Sequence, residues 1–498
     1  MTPPADHVER FRALAARRFG LQFDDTKLGW LGDVLQRRAD SRRLTVDAYL
    51  EAAESAPAAG EIGALATELT VGETYFFRNM EQFNALREQV LPDRLRAQAA
   101  RRSLRILSAG CASGEEPYSI AMSLCDLLPD PSWQLSIRAV DLNPAAIEKA
   151  LRGCYTNWSL RETPQAMQQR WFRPDGRDHR LDETLRRAVS FEIRNLHDDD
   201  RELWQPGAYD VVFCRNVLMY FTPQGAGAVV ARIARSLAPG GALFLGHAET
   251  LRGLSQDFHL CHTHGCFYYR SRSADEARIT PSAPAAAAPA LVAALDGGDA
   301  WVQAIERASQ RVRALTTPPS SPQHPDHPRA SVGRHLGHAL ELLGRERFAE
   351  ALELVHGLPP ESAQDPDVLL LHAVLLVHGG RLVQAEDASR RLLAIDELNA
   401  GAHYVLALCC EATGDTRGAV DQDQVAAYLD PGFAMPRLHL GLLARRAGDR
   451  DTSRREFEQA RTLLLREDAS RLLLFGGGFG REALLALCEA ELQAEGLS

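Results

Sequence analysis

Three regimes of hydrophobic patterning follow one another along the chain. From residue 7 to about 98, apolar positions recur at three- and four-residue steps, as in Phe11, Leu14 and Phe19 and then Leu28, Leu31, Val34 and Leu35. That spacing marks one buried helix face and predicts a small helical bundle. From Leu104 to about Arg270, short β-branched or apolar runs alternate with helical segments, placing strands at 104–109, 136–141, 189–194, 209–214 and 242–246. Such alternation predicts a mostly parallel sheet covered by helices on both faces, with ligands at the carboxyl ends of the strands. Between Gly153 and Val189, the turn-rich stretch around Trp171-Phe172-Arg173-Pro174-Asp175-Gly176 is too short for a helix–strand unit and predicts a small hairpin lobe.

The third regime is a repeat. Gly380, Gly414 and Gly448 stand 34 residues apart and Gly344 precedes them by 36. Small residues fall in register at Gly337, Ala373, Ala407 and Gly441, and again at Ala349, Ala385, Ala419 and Ser453. This period with these residues resembles tetratricopeptide repeats, in which small side chains let paired helices pack closely. Stacked pairs form a superhelical surface that binds a peptide or protein, or else serve as a plain solenoid. Phe475-Gly476-Gly477-Gly478-Phe479-Gly480 and then Arg481 to Leu492 read as a turn and a capping helix. Between sheet and repeats, Pro281, Pro284, Pro289, Pro318, Pro319 and Pro322 punctuate an alanine-rich linker, interrupted by a helical patch from Trp301 to Leu315.

Bulk properties narrow the class. At 498 residues the chain needs more than one core. A 45% hydrophobic and 24% charged composition is that of a globular protein. The net charge of −10 disfavours general attraction to nucleic acid or anionic membrane. No apolar run approaches the roughly 20 residues that span a bilayer, and Met1-Thr2-Pro3-Pro4-Ala5-Asp6 lacks a signal-peptide pattern, so a cytoplasmic location is expected. Nine scattered cysteines without a Cys-x-x-Cys pair suit reduced thiols. Cys261-His262-Thr263-His264-Gly265-Cys266 holds zinc-ligand types, but on one extended segment they close no tetrahedron. No metal is expected, and the segment reads as a plain strand leading into Phe267-Tyr268-Tyr269.

The candidate chemistry centres on Leu104 to Ile120. A buried strand runs into Gly110, Cys111, Ala112, Ser113 and Gly114 and then opens a helix. Small residues let a ligand approach the helix N-terminus, whose N–H groups point outward. Glu115 and Glu116 in the first turn would repel a pyrophosphate, and Gly-x-x-x-Gly replaces the dinucleotide pattern Gly-x-Gly-x-x-Gly. The next strand ends on Asp141, suited to ribose hydroxyls. A nucleoside with a cationic tail is S-adenosylmethionine; an ordinary turn that binds nothing is the alternative. Polar clusters follow other strands at Asn195-Leu196, Arg215-Asn216 and Gly246-His247-Ala248-Glu249. The aromatic run from Leu69 to Phe83 reads, on composition, as a core helix with Phe76, Phe77 and Phe83 buried and Arg78 snorkelling to water.

Thr74-Tyr75-Phe76-Phe77-Arg78, Gly114-Glu115-Glu116-Pro117-Tyr118-Ser119, Ala139-Val140-Asp141-Leu142-Asn143 and Phe213-Cys214-Arg215-Asn216-Val217-Leu218-Met219-Tyr220-Phe221, joined by Gly246-His247-Ala248-Glu249, come in one order. They resemble the signature segments of the CheR family, the chemotaxis-receptor glutamate methyltransferases, over residues 7 to about 270, in the branch with C-terminal tetratricopeptide repeats. The resemblance displaces the snorkelling reading of Arg78. It implies an α/β architecture: a helical N-terminal domain (1–98), a Rossmann-like S-adenosylmethionine-dependent methyltransferase domain with a small β insertion (99–275), a Pro/Ala-rich linker (276–330), an all-α tetratricopeptide solenoid (331–468) and a C-terminal capping helix (469–498). It further implies that Thr74, Arg78, Glu115, Asp141, Asn195, Leu196, Arg215 and Asn216 contact S-adenosylmethionine, with Arg78 and Tyr220 beside the transferred methyl. Between the two glutamates, Glu115 is the one expected at the methionyl amine. Gly72 stands where the family often has a polar side chain, so a cofactor contact is expected to be lost there. The implied substrates are the cytoplasmic domains of membrane chemoreceptors, with a protein or peptide ligand for the repeats. A catalytically silent cofactor-binding adaptor and a small-molecule methyltransferase remain as alternatives.

Overall fold

The computed structural model describes residues 3–55, 59–128, 130–247, 249–272, 336–343, 345, 347–359, 362–477 and 479–496. The expected linker and its helical patch at Trp301 to Leu315 fall outside these residues. The chain divides into two compact units, residues 1–281 and 282–498.

The first unit begins with helices Ala5–Phe19, Leu28–Ser41, Val46–Ser55 and Ala59–Leu69. Their predicted apolar faces meet: Phe11, Leu14, Phe19, Leu31, Val34 and Leu35 are buried in one cluster. Inside it the carboxylate of Glu61, only 5% exposed, accepts from Arg38 Nη2 at 2.7 Å, Arg38 Nε at 2.9 Å and Tyr49 Oη at 2.8 Å. Removing any one partner of a buried charge held this way is strongly destabilising. The aromatic run departs from its composition reading. Phe76, Phe77 and Phe83 are buried, but residues 70–79 form a loop and the helix starts only at Met80. Val71 and Gly72 are weak helix formers, and the loop's N–H groups go elsewhere: Phe76 N donates to Ser159 O at 3.0 Å and Phe77 N to Ser119 Oγ at 2.9 Å.

Ten strands follow among the described residues: β1 (Ser103–Ala109), β2 (Gln134–Asp141), β3 (Cys154–Tyr155), β4 (Phe172–Asp175), β5 (Asp178–Leu181), β6 (Val189–Ile193), β7 (Tyr209–Cys214), β8 (Leu237–Leu245), β9 (Phe258–Thr263) and β10 (Cys266–Ser271). Seven make one mixed sheet in the order β6-β2-β1-β7-β8-β10-β9, and β3, β5 and β4 make the separate small lobe. Ile106 in β1 lies opposite Ile137 of β2 and Val211 of β7, both parallel. Chain order reverses between those neighbours, which is where open α/β sheets leave a crevice. The segment Cys261 to Cys266 is not one plain strand. His264 and Gly265 both take positive φ (53° and 68°), so β9 and β10 form a tight hairpin that closes the sheet antiparallel against β8. Stacked rings of Phe213, Phe244 and Tyr268 run beneath β7, β8 and β10, with centroids 4.6 and 5.4 Å apart.

The second unit is helical throughout its described residues. Helix pairs follow as 336–343 with Phe348–His356, Pro366–His378 with Leu382–Ile395, Ala400–Ala412 with Thr416–Leu429, and Ala434–Ala447 with Arg450–Leu464. Gly380, Gly414 and Gly448 turn each pair at φ of 69°, 83° and 78°. The register expected for the first pair is corrected by two residues. Ala339 and Ala351, not Gly337 and Ala349, are wholly buried, as are Ala373, Ala407, Ala385, Ala419 and Ser453 in the later pairs. The period is therefore 34 throughout, and Gly344 falls outside it. The tail holds more than a turn and a cap: a short helix, Ala469–Phe475, precedes Arg481–Gly496. Phe475 packs on Phe433 and Tyr404, with centroids 5.0 and 5.8 Å away. No helix among the described residues is long and apolar enough to cross a membrane.

Candidate cofactor site

At the carboxyl ends of β1, β2 and β7, a cavity of about 370 Å³ opens between the sheet and the N-terminal helices. That volume lies within the roughly 300–1,000 Å³ of small-molecule sites. Thr74, Arg78, Asp141, Asn195, Leu196, Arg215, Asn216 and Tyr220 all line it.

The glycine loop is shaped for close approach. Gly110 has φ +79°, and a Cβ there would stand 2.4 Å from Val217 Cγ2. Gly114 has φ +93° and is hemmed by Ala150 and Tyr155. Ala112, also left-handed at φ 46°, donates its N–H to Asp141 Oδ2 at 2.8 Å, while Asn143 N donates to Oδ1 at 2.8 Å. Burial pushes the Asp141 carboxyl up and those backbone N–H groups pull it back down. Each of its oxygens keeps acceptor capacity for a hydroxyl.

The two glutamates part company. Glu115 does not line the cavity; it turns into the protein, where Ser113 Oγ donates to it at 2.7 Å, Ser159 Oγ at 3.3 Å, and Lys149 Nζ lies 3.7 Å away. Glu116 is the one that lines the cavity. It accepts from Ser108 Oγ at 2.7 Å and sits 3.5 Å from Arg215 Nη1. Successive helix residues point about 100° apart, so only one of a Glu-Glu pair can face the crevice. Burial raises both carboxyls; Ser113 and Lys149 offset this at Glu115, Arg215 and Ser108 at Glu116.

Arg78 is held between two residues with left-handed backbone, Phe77 at φ 56° and Asn79 at φ 61°. Strain of this kind, of order 1–3 kcal/mol each, persists only where the surroundings over-determine it. The anchors are the Phe76 and Phe77 N–H bonds already described, together with Arg215, whose Nη2 donates to the Arg78 carbonyl. Arg215 is buried at 7% exposure and its Nε finds no hydrogen-bond partner among the described residues. An orphaned guanidinium N–H, two acidic acceptors and an apolar wall of Phe19, Leu21 and Leu196 fit a nucleoside that ends in an amino-acid zwitterion. Tyr220, 39% exposed, sits at the rim. Gly72 lines the cavity, and a Cβ there would meet nothing within 4 Å.

One residue was visible in the sequence as part of a polar cluster without a role. The carboxylate of Glu249, 6% exposed, accepts backbone N–H groups of Asn216 (2.6 Å), Gly246 (2.8 Å) and Val217 (2.9 Å). It thereby pins the loop that carries Arg215, Asn216 and Tyr220, with Asn216 itself at φ 56°. Its neighbour Ala248 lies outside the described residues. Among those residues, no group of three or more His, Cys, Asp or Glu is arranged to hold a metal ion.

Comparison with known proteins agrees with this geometry. The family model described as CheR methyltransferase, SAM binding domain, matches residues 72–266. The chain is 31% identical over 459 residues to the probable biofilm formation methyltransferase WspC of Pseudomonas aeruginosa, covering 91% of this chain and 98% of that protein. It is 34% identical over 261 residues to the chemotaxis protein methyltransferase of Escherichia coli, covering 51% of this chain and 87% of that one. Among solved structures it matches PcrH from Pseudomonas aeruginosa with a TM-score of 0.23 and 22% identity, over 28% of this chain and 95% of that one, too slight a likeness to add to the repeats' own geometry. A crevice built for a zwitterionic nucleoside, the family match across it and near full-length similarity to a relative together show that the chain belongs to the CheR family of S-adenosylmethionine-dependent protein methyltransferases, with C-terminal helical repeats.

Proposed function

We propose that this chain esterifies glutamate side chains of chemoreceptors in a chemotaxis-like signalling pathway, and that its repeats dock or regulate a partner protein or peptide. The observation that carries the reading is Arg78, held in a strained loop and lining the same cavity as Tyr220. The named relatives, methyltransferases of chemotaxis and biofilm formation, support the receptor as substrate, and we place the reaction in the cytoplasm. We assign the catalytic part to residues 1–98 and 99–275, the linker to 276–330, the repeats to 331–468 and their cap to 469–498.

S-adenosylmethionine, when bound, supplies a methyl group made electrophilic by its sulfonium. Asp141 would accept hydrogen bonds from the ribose hydroxyls, and Asn195, Leu196 and Thr74, which line the same cavity, would hold the nucleoside. Arg215 would face the methionyl carboxylate, and Glu116, which lines the cavity as Glu115 does not, would take the methionyl amine. A substrate glutamate with an ordinary pKa near 4.3 is already ionised at neutral pH, so no general base is needed. What the protein provides is alignment and exclusion of water. Arg78 orients the incoming carboxylate and Tyr220 shapes the channel through which the methyl passes. The test is transfer of labelled methyl to receptor-containing membranes by the full chain and by residues 1–275. Base-labile label on a receptor band from the full chain supports the reading, and its loss on truncation makes the repeats the docking element. Cofactor binding without label refutes it in favour of a silent adaptor.

A further inference from the structure

Beside Tyr75, which lines the cavity, Arg161 is close to two aromatic rings. Its Cζ is 3.7 Å from the Tyr75 ring centroid and 4.2 Å from that of Trp158. Trp158 is 68% exposed, an unusual position for so large an apolar ring. Arg170, Arg180 and Arg186 of the lobe are paired with Asp126, Asp175 and Glu183, while Arg173 donates only to backbone carbonyls, among them Gln169 O at 3.1 Å. Arg161 has no carboxylate within 4 Å among the described residues, and the one hydrogen bond of its guanidinium there goes from Nη1 to Trp158 O at 2.7 Å. A guanidinium carries five N–H donors, so most of this one is unsatisfied by protein.

Tyr75 ties this arginine to the reaction site. It lines the cavity, and Arg78 Cζ stands 5.7 Å from the same ring. The two guanidinium carbons are therefore less than 10 Å apart, the sum of their distances to that ring being the upper limit. Arg78 likewise lacks a carboxylate within 4 Å among the described residues; its Nη1 meets only the Glu73 carbonyl, at 3.4 Å. Side chains one helical turn apart have Cβ atoms about 5–6 Å from each other, so two acidic side chains on one helix face span such a pair of cations. Exposed aromatic residues beside arginine are also what protein interfaces select.

We propose that Tyr75, Arg161 and Trp158 form a second anion-binding site that reads an acidic side chain on the protein substrate, one helical turn from the glutamate being methylated. The proposal rests on the reading of the adjacent cavity as a glutamate methyl-transfer site. The partner it fits is an acidic helix face, and an isolated glutamate would be a poorer substrate.

The experiment uses the full chain, its Arg161→Glu and Arg161→Lys variants, and two stapled helical peptides. One carries glutamates one turn apart; the other has glutamine at the second position. Methyl transfer gives KM and kcat, fluorescence anisotropy without cofactor gives peptide affinity, and calorimetry gives S-adenosylmethionine affinity. The expected result is that Arg161→Glu raises KM and weakens binding of the two-glutamate peptide about tenfold, with kcat and cofactor affinity kept. Arg161→Lys retains part of the preference, and wild type and Arg161→Glu treat the glutamine peptide alike. Equal effects on both peptides, or loss of cofactor binding, would overturn the proposal and leave Arg161 as a brace for its loop. If no form methylates either peptide, the methyl-transfer reading fails by itself. The anisotropy contrast between peptides then still decides for or against the acidic site.

Discussion

Glu249→Gln changes one atom type and tests how the cavity's loop is held. Oε2 accepts from Asn216 N at 2.6 Å and Gly246 N at 2.8 Å, and Oε1 accepts from Val217 N at 2.9 Å and Met219 N at 3.4 Å. Whichever way the new amide turns, its NH2 faces two backbone donors and half of these bonds are lost. A hydrogen bond to a charged group is worth roughly 1.5–3 kcal/mol net, and the 3.4 Å contact is worth less. Losing the Oε1 pair therefore weakens the loop by about 2–4 kcal/mol, and losing the Oε2 pair by more. Space does not relieve the strain, because a Cβ added at Gly246 would already meet Glu249 Oε2 at 2.8 Å and Asn216 Nδ2 at 2.7 Å. The assay is hydrogen exchange of the Arg215–Phe221 amides in the full chain, with cofactor affinity by calorimetry. Protection of that loop should fall by at least about tenfold and affinity should fall with it, while the N-terminal helices keep theirs. Unchanged exchange and affinity in Glu249→Gln would refute the claim that this carboxylate holds the loop.

Other expectations follow from single contacts. Gly110→Ala forces a left-handed residue against Val217 and should lose about 2–5 kcal/mol of local stability, partly restored by Val217→Ala in a double-mutant cycle read by hydrogen exchange. Asp141→Asn should weaken S-adenosylmethionine binding roughly ten- to a hundredfold, the loss of charge-assisted bonds to hydroxyls, measured by calorimetry. Ala351→Leu should destabilise the first helix pair by about 1–3 kcal/mol through overpacking, whereas Ala349→Leu should be tolerated, since only the former is buried. In the repeats, burial pushes the Asp423 carboxyl up to about 7. His439, whose Nδ1 lies 2.6 Å from it, is raised because Asp423 and Glu411 outweigh the effect of its own burial. Both groups bind protons in the folded state that the unfolded chain releases, so repeat stability should fall as pH rises from about 4 through 7 and beyond. Protection of Ala400–Leu464 amides, corrected for intrinsic exchange, checks the slope, and Asp423→Asn should flatten it.

Period and punctuation made the architecture legible. The strands around Ile106, Ile137 and Val211 read as buried apolar runs, and the glycine-rich turn after β1 announced the crevice. Periodicity was silent on the 70–79 loop, because its buried phenylalanines match a helix core while its hydrogen bonds run to Ser119 and Ser159, more than forty residues away. The same limit hid β9 and β10: a hairpin through His264 needs a non-glycine residue at positive φ, which no spacing rule announces. In the first repeat, Gly344 drew the register two residues off, and only burial at Ala339 and Ala351 restored it. At the site, the residue types were legible but side-chain direction was not. Glu115 and Glu116 are adjacent, and which faces the cavity depends on how the helix sits over Ser113 and Ser159. The role of Glu249 was out of reach for a related reason, since its partners are backbone N–H groups contributed by residues about thirty positions earlier.

The most direct measurement is methyl transfer from labelled S-adenosylmethionine to receptor glutamates by the full chain beside its Arg78→Ala and Tyr220→Phe variants. The account predicts base-labile label on receptor glutamates with the wild-type chain and a loss of at least about a hundredfold in rate with Arg78→Ala, while the cofactor still binds. Undiminished transfer by Arg78→Ala, or tight cofactor binding with no receptor label from the wild-type chain, would contradict it.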